Sequence, residues 1–166
     1  GSTMSNLITF DNFVSLAEAK ELIQHNITTR FHLVGEPGIG KTSLVKALRE
    51  ALGYASSIMS CPEMDLGDIA MPVIDHETGT TKYYPNARFL FHLGKPVIIC
   101  LDEYTKGVQP IQNMLHPLLD TFEPRLGNIP VPEGSIIFTT GNLESDGVGD
   151  SMKAHTRMRV SVLPVS

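Results

Sequence analysis

Apolar positions along the chain fall into two patterns. Three stretches too short for helices match strands buried on both faces: 31–34, apolar except at His32; 96–101, apolar throughout; and 135–140, apolar at 136–138 and rich in β-branched residues. Residues 55–61 and 158–162 read as two further strands. Between these runs lie segments with apolar residues at helical spacing, at 16–23, 42–52 and 111–119. Pro110 suits a first helical turn, and Pro117 predicts a kink or an end to the third helix. Strands alternating with helices predict an α/β domain, a parallel sheet with helices on both faces. One segment breaks the alternation. Residues 71–75 and 81–85 read as short strands around a turn with Gly79 at its tight position, which predicts a β-hairpin. Tyr83 and Tyr84 are successive, so one should pack while the other stays freer.

Composition narrows the class. The chain has 166 residues, enough for one domain with a real core. It is 42% hydrophobic and 19% charged, the balance of a soluble globular protein. No apolar run is long enough to span a bilayer, and no secretory signal is visible. A formal charge of -5 without a Lys/Arg cluster argues against a nucleic-acid groove. Cys61 and Cys100 form no C-x-x-C pair and read as buried, reduced thiols, which points to the cytoplasm. None of the six histidines has metal-ligand spacing to another, so no zinc site is expected. Gly1-Ser2-Thr3 looks like a cloning scar ahead of Met4, leaving residues 4–166 as the domain.

Three clusters carry chemistry. Gly35-Glu36-Pro37-Gly38-Ile39-Gly40-Lys41-Thr42 fits the P-loop pattern at every fixed position, between a strand and a helix. Such a loop turns backbone N–H groups toward one point and holds a polyphosphate there. The expected nucleotide-binding set is Glu36, Pro37, Gly38, Ile39, Gly40, Lys41, Thr42 and Ser43. Lys41 reaches the β- and γ-phosphates and the Thr42 hydroxyl binds Mg²⁺. The apolar run at 96–101 ends in Asp102-Glu103. There Asp102 can hold the metal and Glu103 can act on water, the two diverging because successive strand residues point in different directions. The strand at 135–140 ends in Gly141-Asn142, whose amide can contact the γ-phosphate and the lytic water. Alone, Asp-Glu is also a solvated acidic turn and Gly-Asn a turn signal; their order after a P-loop favours the site.

Together these clusters resemble the nucleotide-binding core of an AAA+ ATPase, closest to the MoxR-like branch of the clade with a hairpin insert in its second helix. Further carriers are Leu66-Gly67-Asp68-Ile69, Leu101-Asp102-Glu103-Tyr104, the helix Val108-Gln109-Pro110-Ile111-Gln112-Asn113-Met114-Leu115, Thr140-Gly141-Asn142, and Thr156-Arg157-Met158. The resemblance implies a P-loop NTPase three-layer sandwich with a five-stranded parallel sheet in the order 5-1-4-3-2. It implies ATP and Mg²⁺, Asp102 and Glu103 as the Walker B pair, and Asn142 as sensor 1. It implies Arg157 as an arginine finger serving a neighbouring subunit. Arg159 competes for that role, and Arg125 is a weaker interface candidate. A ring of copies, a hexamer by resemblance, would remodel or mature a protein client, with the hairpin facing the pore or the client; a purely structural hairpin is the alternative. The family's C-terminal helical lid, with its second sensor arginine, has no counterpart before Ser166, so either a piece of a longer protein, which the scar at the start favours, or an unusually minimal protein is expected, weakly active alone. Rival readings are a nucleic-acid motor or restriction-type nucleotidase, a small-molecule kinase, and a non-catalytic nucleotide-binding subunit.

Overall fold

The computed structural model describes residues 7–9, 13–35, 40–142 and 160–166. Its main sheet is built from β1 (Leu7–Thr9), β2 (Arg30–Gly35), β3 (Ala55–Ser60), β6 (Val97–Asp102), β9 (Ile136–Asn142) and β10 (Val160–Pro164). The strand order is β1-β10-β2-β9-β6-β3, and every pairing is parallel. The five expected strands thus stand in the order 5-1-4-3-2, and β1 extends the edge beside β10. Three residues are too few to carry a period, which is why β1 was not legible in the sequence.

The sheet is buried on both sides. Along β6, Val97, Ile99 and Leu101 enter one core while Ile98 and Cys100 enter the other. That is the period of two expected of a strand, with apolar residues at both phases. The second core is closed by α1 (Leu16–His25) and α2 (Lys41–Leu52), through Ala19, Ile23, Leu44, Val45 and Leu48. The first is closed by α3 (Gln109–Leu115), through Ile111 and Leu115, and by 3₁₀ turns carrying Cys61, Phe89 and Phe91. Layers on both faces of one sheet make the three-layer sandwich. A capping box starts α1: Ser15 Oγ accepts from the Glu18 N–H and Glu18 Oε1 accepts from the Ser15 N–H, both at 3.1 Å.

Several boundaries differ from expectation. β3 stops at Ser60, and Cys61 opens a 3₁₀ turn with Pro62 behind it. The third helix is α-helical only to Leu115 and tightens to 3₁₀ over His116–Leu119, because Pro117 has no N–H to continue the ladder. β10 reaches Pro164, two residues past the expected end. The hairpin is β4 (Ala70–Asp75) with β5 (Thr80–Pro85), paired antiparallel. Tyr83 and Tyr84 are both exposed, at 45% and 42%, contrary to the expectation that one packs. The ribbon stands outside the main sheet and meets the second small hairpin through the Tyr83 backbone, so alternation alone does not bury either ring. A second small hairpin pairs β7 (Arg125–Leu126) with β8 (Ile129–Pro130). Among the described residues, no helix is long and apolar enough to cross a membrane.

Candidate nucleotide site

Strand order and register bring the expected polar residues to one edge of the sheet. β9 lies between β2 and β6, with Gly35 opposite Asn142 and Leu101 opposite Thr139. Asp102, Thr140 and Asn142 all share the phase of the strand residues that face α1 and α2. They therefore lie on the side where α2 begins. Ligands in open α/β sheets bind beyond such carboxyl ends.

α2 starts as an anion site would. Its N-cap, Gly40, has φ 89° and ψ 30°, offers no side-chain cap, and is followed by no acidic residue in the first turn. The leading N–H groups of the helix thus have no carboxylate of their own to answer the dipole. Glycine at 40 answers the backbone conformation, and the close neighbour of a Cβ there is only a side-chain tip that can move aside. The backbone is left-handed, and a Cβ there would lie 2.7 Å from Leu16 Cδ1. Thr42 and Ser43 are exposed on the first turn.

Lys41 Nζ stands 3.2 Å from Asp102 Oδ2, their side chains 34% and 15% exposed. The other carboxylate oxygen, Asp102 Oδ1, accepts from Thr140 Oγ1 at 2.6 Å. Asp102 is thus held at both oxygens, by residues from α2 and β9. Glu103 is no longer in the strand. Its backbone is left-handed, φ 52° and ψ 46°, a conformation costing a residue with a Cβ about 1–2 kcal/mol. The divergence of the two carboxylates therefore comes from this reversed residue and not from strand alternation. The Glu103 N–H donates to Thr140 Oγ1 at 3.0 Å. Glu103 Oε1 lies 3.8 Å from Lys106 Nζ. The turn that follows is tied down by Gln112, whose Nε2 donates to the carbonyls of Thr105 and Gly107 at 3.3 and 2.8 Å.

Burial pushes the Cys61 thiol up to about 12, with Asp102 and Glu103 adding their charge. Burial likewise raises the Cys100 thiol and the Tyr104 phenol. All three are neutral at physiological pH and supply packing beside the acidic pair.

The geometry brings Lys41, Thr42, Ser43, Asp102, Glu103 and Asn142 to one edge. Glu36, Pro37, Gly38 and Ile39 lie outside the described residues, as do Arg157 and its competitor Arg159. Arg125 is exposed in β7, with Nη2 4.0 Å from Glu123 Oε2. Sequence reasoning took Thr140 only as part of the motif Thr140-Gly141-Asn142 that carries the resemblance, and gave it no role of its own. Its neighbour Thr139 is an equally good strand residue, and only register separates them: Thr139 Oγ1 pairs with buried His32 Nδ1 at 2.6 Å.

Comparison with known proteins assigns the family and the fold. Residues 30–160 match the AAA domain of the dynein-related subfamily. The chain belongs to this AAA family. Midasin of Giardia intestinalis is 32% identical over 123 residues, 70% of this chain and 2% of that protein's length. A crystal structure from Cytophaga hutchinsonii, described provisionally as an ATPase, superposes with a TM-score of 0.59 at 15% identity. That superposition covers 90% of this chain and 46% of the other, and it speaks for the fold. The AAA match spans all three polar clusters, from the strand before the P-loop to the start of β10.

Proposed function

We propose that this AAA domain hydrolyses ATP in the presence of Mg²⁺. We further propose that it works in a ring of its own copies, a hexamer, to remodel or mature a protein client. The observation that carries the chemical reading is the 3.2 Å approach of Lys41 Nζ to Asp102 Oδ2 at the uncapped start of α2. A cation and an open helix N-terminus attract polyphosphate, and a carboxylate next to them needs a cation in return. The Thr42 hydroxyl and the Asp102 carboxylate are hard oxygen donors, the kind Mg²⁺ takes, so the residues fit the ion. Mg²⁺ supplies neutralisation of the charge that develops on the phosphate oxygens. Lys41 exchanges Asp102 for the β- and γ-phosphates. Glu103 takes a proton from the attacking water, and Asn142 orients that water with its donor and acceptor pair.

Arg157 is proposed to reach the γ-phosphate of a neighbouring subunit, where its planar fork matches the transferring group. The MoxR-like placement within the AAA proteins is also part of this reading. It is supported by the hairpin Ala70–Asp75/Thr80–Pro85 and by the Gln112-Asn113 helix. Cytoplasmic residence is proposed because two buried free thiols suit a reducing compartment.

The test uses the full-length protein that carries this domain. Turnover of ATP should require Mg²⁺, assembly should strengthen with ATP, and added DNA should change neither. Glu103→Gln should keep ATP bound while turnover falls by roughly 10²–10⁴. Parental turnover in that variant would remove Glu103 from its role.

A further inference from the structure

One hydroxyl touches both members of the acidic pair. Thr140 Oγ1 is 2.6 Å from Asp102 Oδ1 and 3.0 Å from the Glu103 backbone nitrogen. The directions of both bonds are forced. A backbone N–H only donates, so the hydroxyl oxygen accepts from Glu103. An ionised carboxylate only accepts, so the single hydroxyl proton goes to Asp102. Thr140 is 4% exposed, which keeps water from competing for either bond.

A second observation gives the contact a purpose. The residue whose N–H is held is Glu103, a residue with a Cβ in the left-handed region. Such a conformation persists only where surrounding contacts enforce it. The hydroxyl comes from β9, two residues before Asn142 and on the same face of the sheet. The neighbouring Thr139 hydroxyl goes instead to His32, deep in the sheet.

We propose that Thr140 is a positioning residue for ATP hydrolysis. Its hydroxyl fixes the Asp102 carboxylate and holds the reversed backbone at Glu103, and so sets both groups relative to Asn142 on the same strand. This rests on the reading of the site as hydrolytic. Valine at 140 has nearly the same shape and no hydroxyl; serine keeps the hydroxyl and loses a methyl.

The experiment compares Thr140→Val, Thr140→Ser and Thr139→Val in the full-length protein. Amide hydrogen exchange at Glu103 is read without nucleotide, alongside kcat, KM and the Kd of a fluorescent ATP analogue. Thr140→Val should accelerate Glu103 exchange and lower kcat by about 10–100-fold, the usual effect of removing a group that orients a functional ligand. KM and Kd should stay within about threefold, because the phosphate cradle is untouched. Thr140→Ser should restore both exchange and kcat, and Thr139→Val should leave Glu103 exchange as in the parent. Parental exchange and kcat in Thr140→Val would overturn the proposal, and so would a serine variant as impaired as the valine one. If the parent itself does not turn over ATP, the hydrolytic reading fails. Positioning is then decided by exchange alone: acceleration in the valine variant supports it and unchanged exchange overturns it.

Discussion

At the tips of β2, β6 and β9 the polar groups are few, and the central ones are held from two directions. Asp102 is bound by Lys41 from α2 and by Thr140 from β9. Glu103 is bound by Thr140 and flanked by a turn that Gln112 holds. The hairpin β4–β5 is built the other way. Its two strands hold each other, and Met71, Val73, Ile74, Tyr83 and Tyr84 are all exposed. A main tie to the domain is Asn128, in the turn between β7 and β8. Asn128 Oδ1 accepts from the Tyr83 N–H at 2.6 Å and the Asn128 N–H donates to Tyr83 O at 2.9 Å. The adjacent Gly127 has φ 60°, and a Cβ there would lie 2.6 Å from Tyr83 O, so only glycine lets the two backbones meet. The contrast teaches where this domain places its rigidity. The candidate site sits where the two cores and the sheet fix the backbone, and the hairpin lies apart from it with most of its apolar side chains exposed.

The largest expected effect tests whether the rigid edge is complete within one chain. In the assembled full-length protein, Arg157→Ala should cut hydrolysis by as much as roughly 10³-fold while each subunit still binds ATP. Mixing Arg157→Ala with Lys41→Ala subunits should restore part of the activity, since mixed rings contain junctions with both halves intact. Co-assembly without recovery would assign Arg157 a role within its own chain. Recovery with Arg159→Ala in its place would move the finger by two residues.

Next comes the difference in packing. Ile99, fully buried in β6, should cost about 2–5 kcal/mol as Ile99→Ala. Val73, 47% exposed in β4, should cost no more than about 0.5 kcal/mol as Val73→Ala. Urea unfolding of the two variants measures both. Equal losses would mean that the hairpin is part of the cooperative core.

A smaller effect isolates the tie itself. Asn128→Ala removes the acceptor for the Tyr83 N–H and should weaken the local structure by about 1 kcal/mol. Exchange of the Tyr83 amide should then rise about fivefold, with little change in Tm. Unchanged exchange would show that the hairpin is held by its own pairing alone.

The smallest effect is electrostatic and confined to the hairpin. Lys82 Nζ lies 2.9 Å from Asp75 Oδ2, which lowers the Asp75 carboxyl and raises the Lys82 ammonium from their ordinary values. The Asp75 contribution is present above its unfolded pKa and is lost as pH falls through the lowered folded value. The Lys82 contribution is present below its unfolded pKa and is lost as pH rises through the raised folded value. The pair should therefore hold from about pH 4 to about pH 10. NMR titration should find Asp75 protonating below the usual aspartate range, and Lys82→Met should return it. A normal Asp75 titration in the parent would dissolve the pair.

Local pattern was enough for much of this protein. Apolar runs marked the strands, helical spacing marked α1 and α2, and Gly79 marked the hairpin turn, because each signal is a property of adjacent residues. The P-loop match at 35–42 and Asp102-Glu103 at a strand end were equally local, and the order of the strands followed from the resemblance these motifs carry. What only the tertiary structure decided lies between segments distant in sequence. Thr140 meets Asp102 and Glu103 across separations of 38 and 37 residues, and nothing local distinguishes it from Thr139. The reversed backbone at Glu103 carries no glycine to announce it, and the exposure of both Tyr83 and Tyr84 depends on how the hairpin sits outside the main sheet. A side chain's period is set by its own strand; its partner is set by which strand lies beside it and in what register.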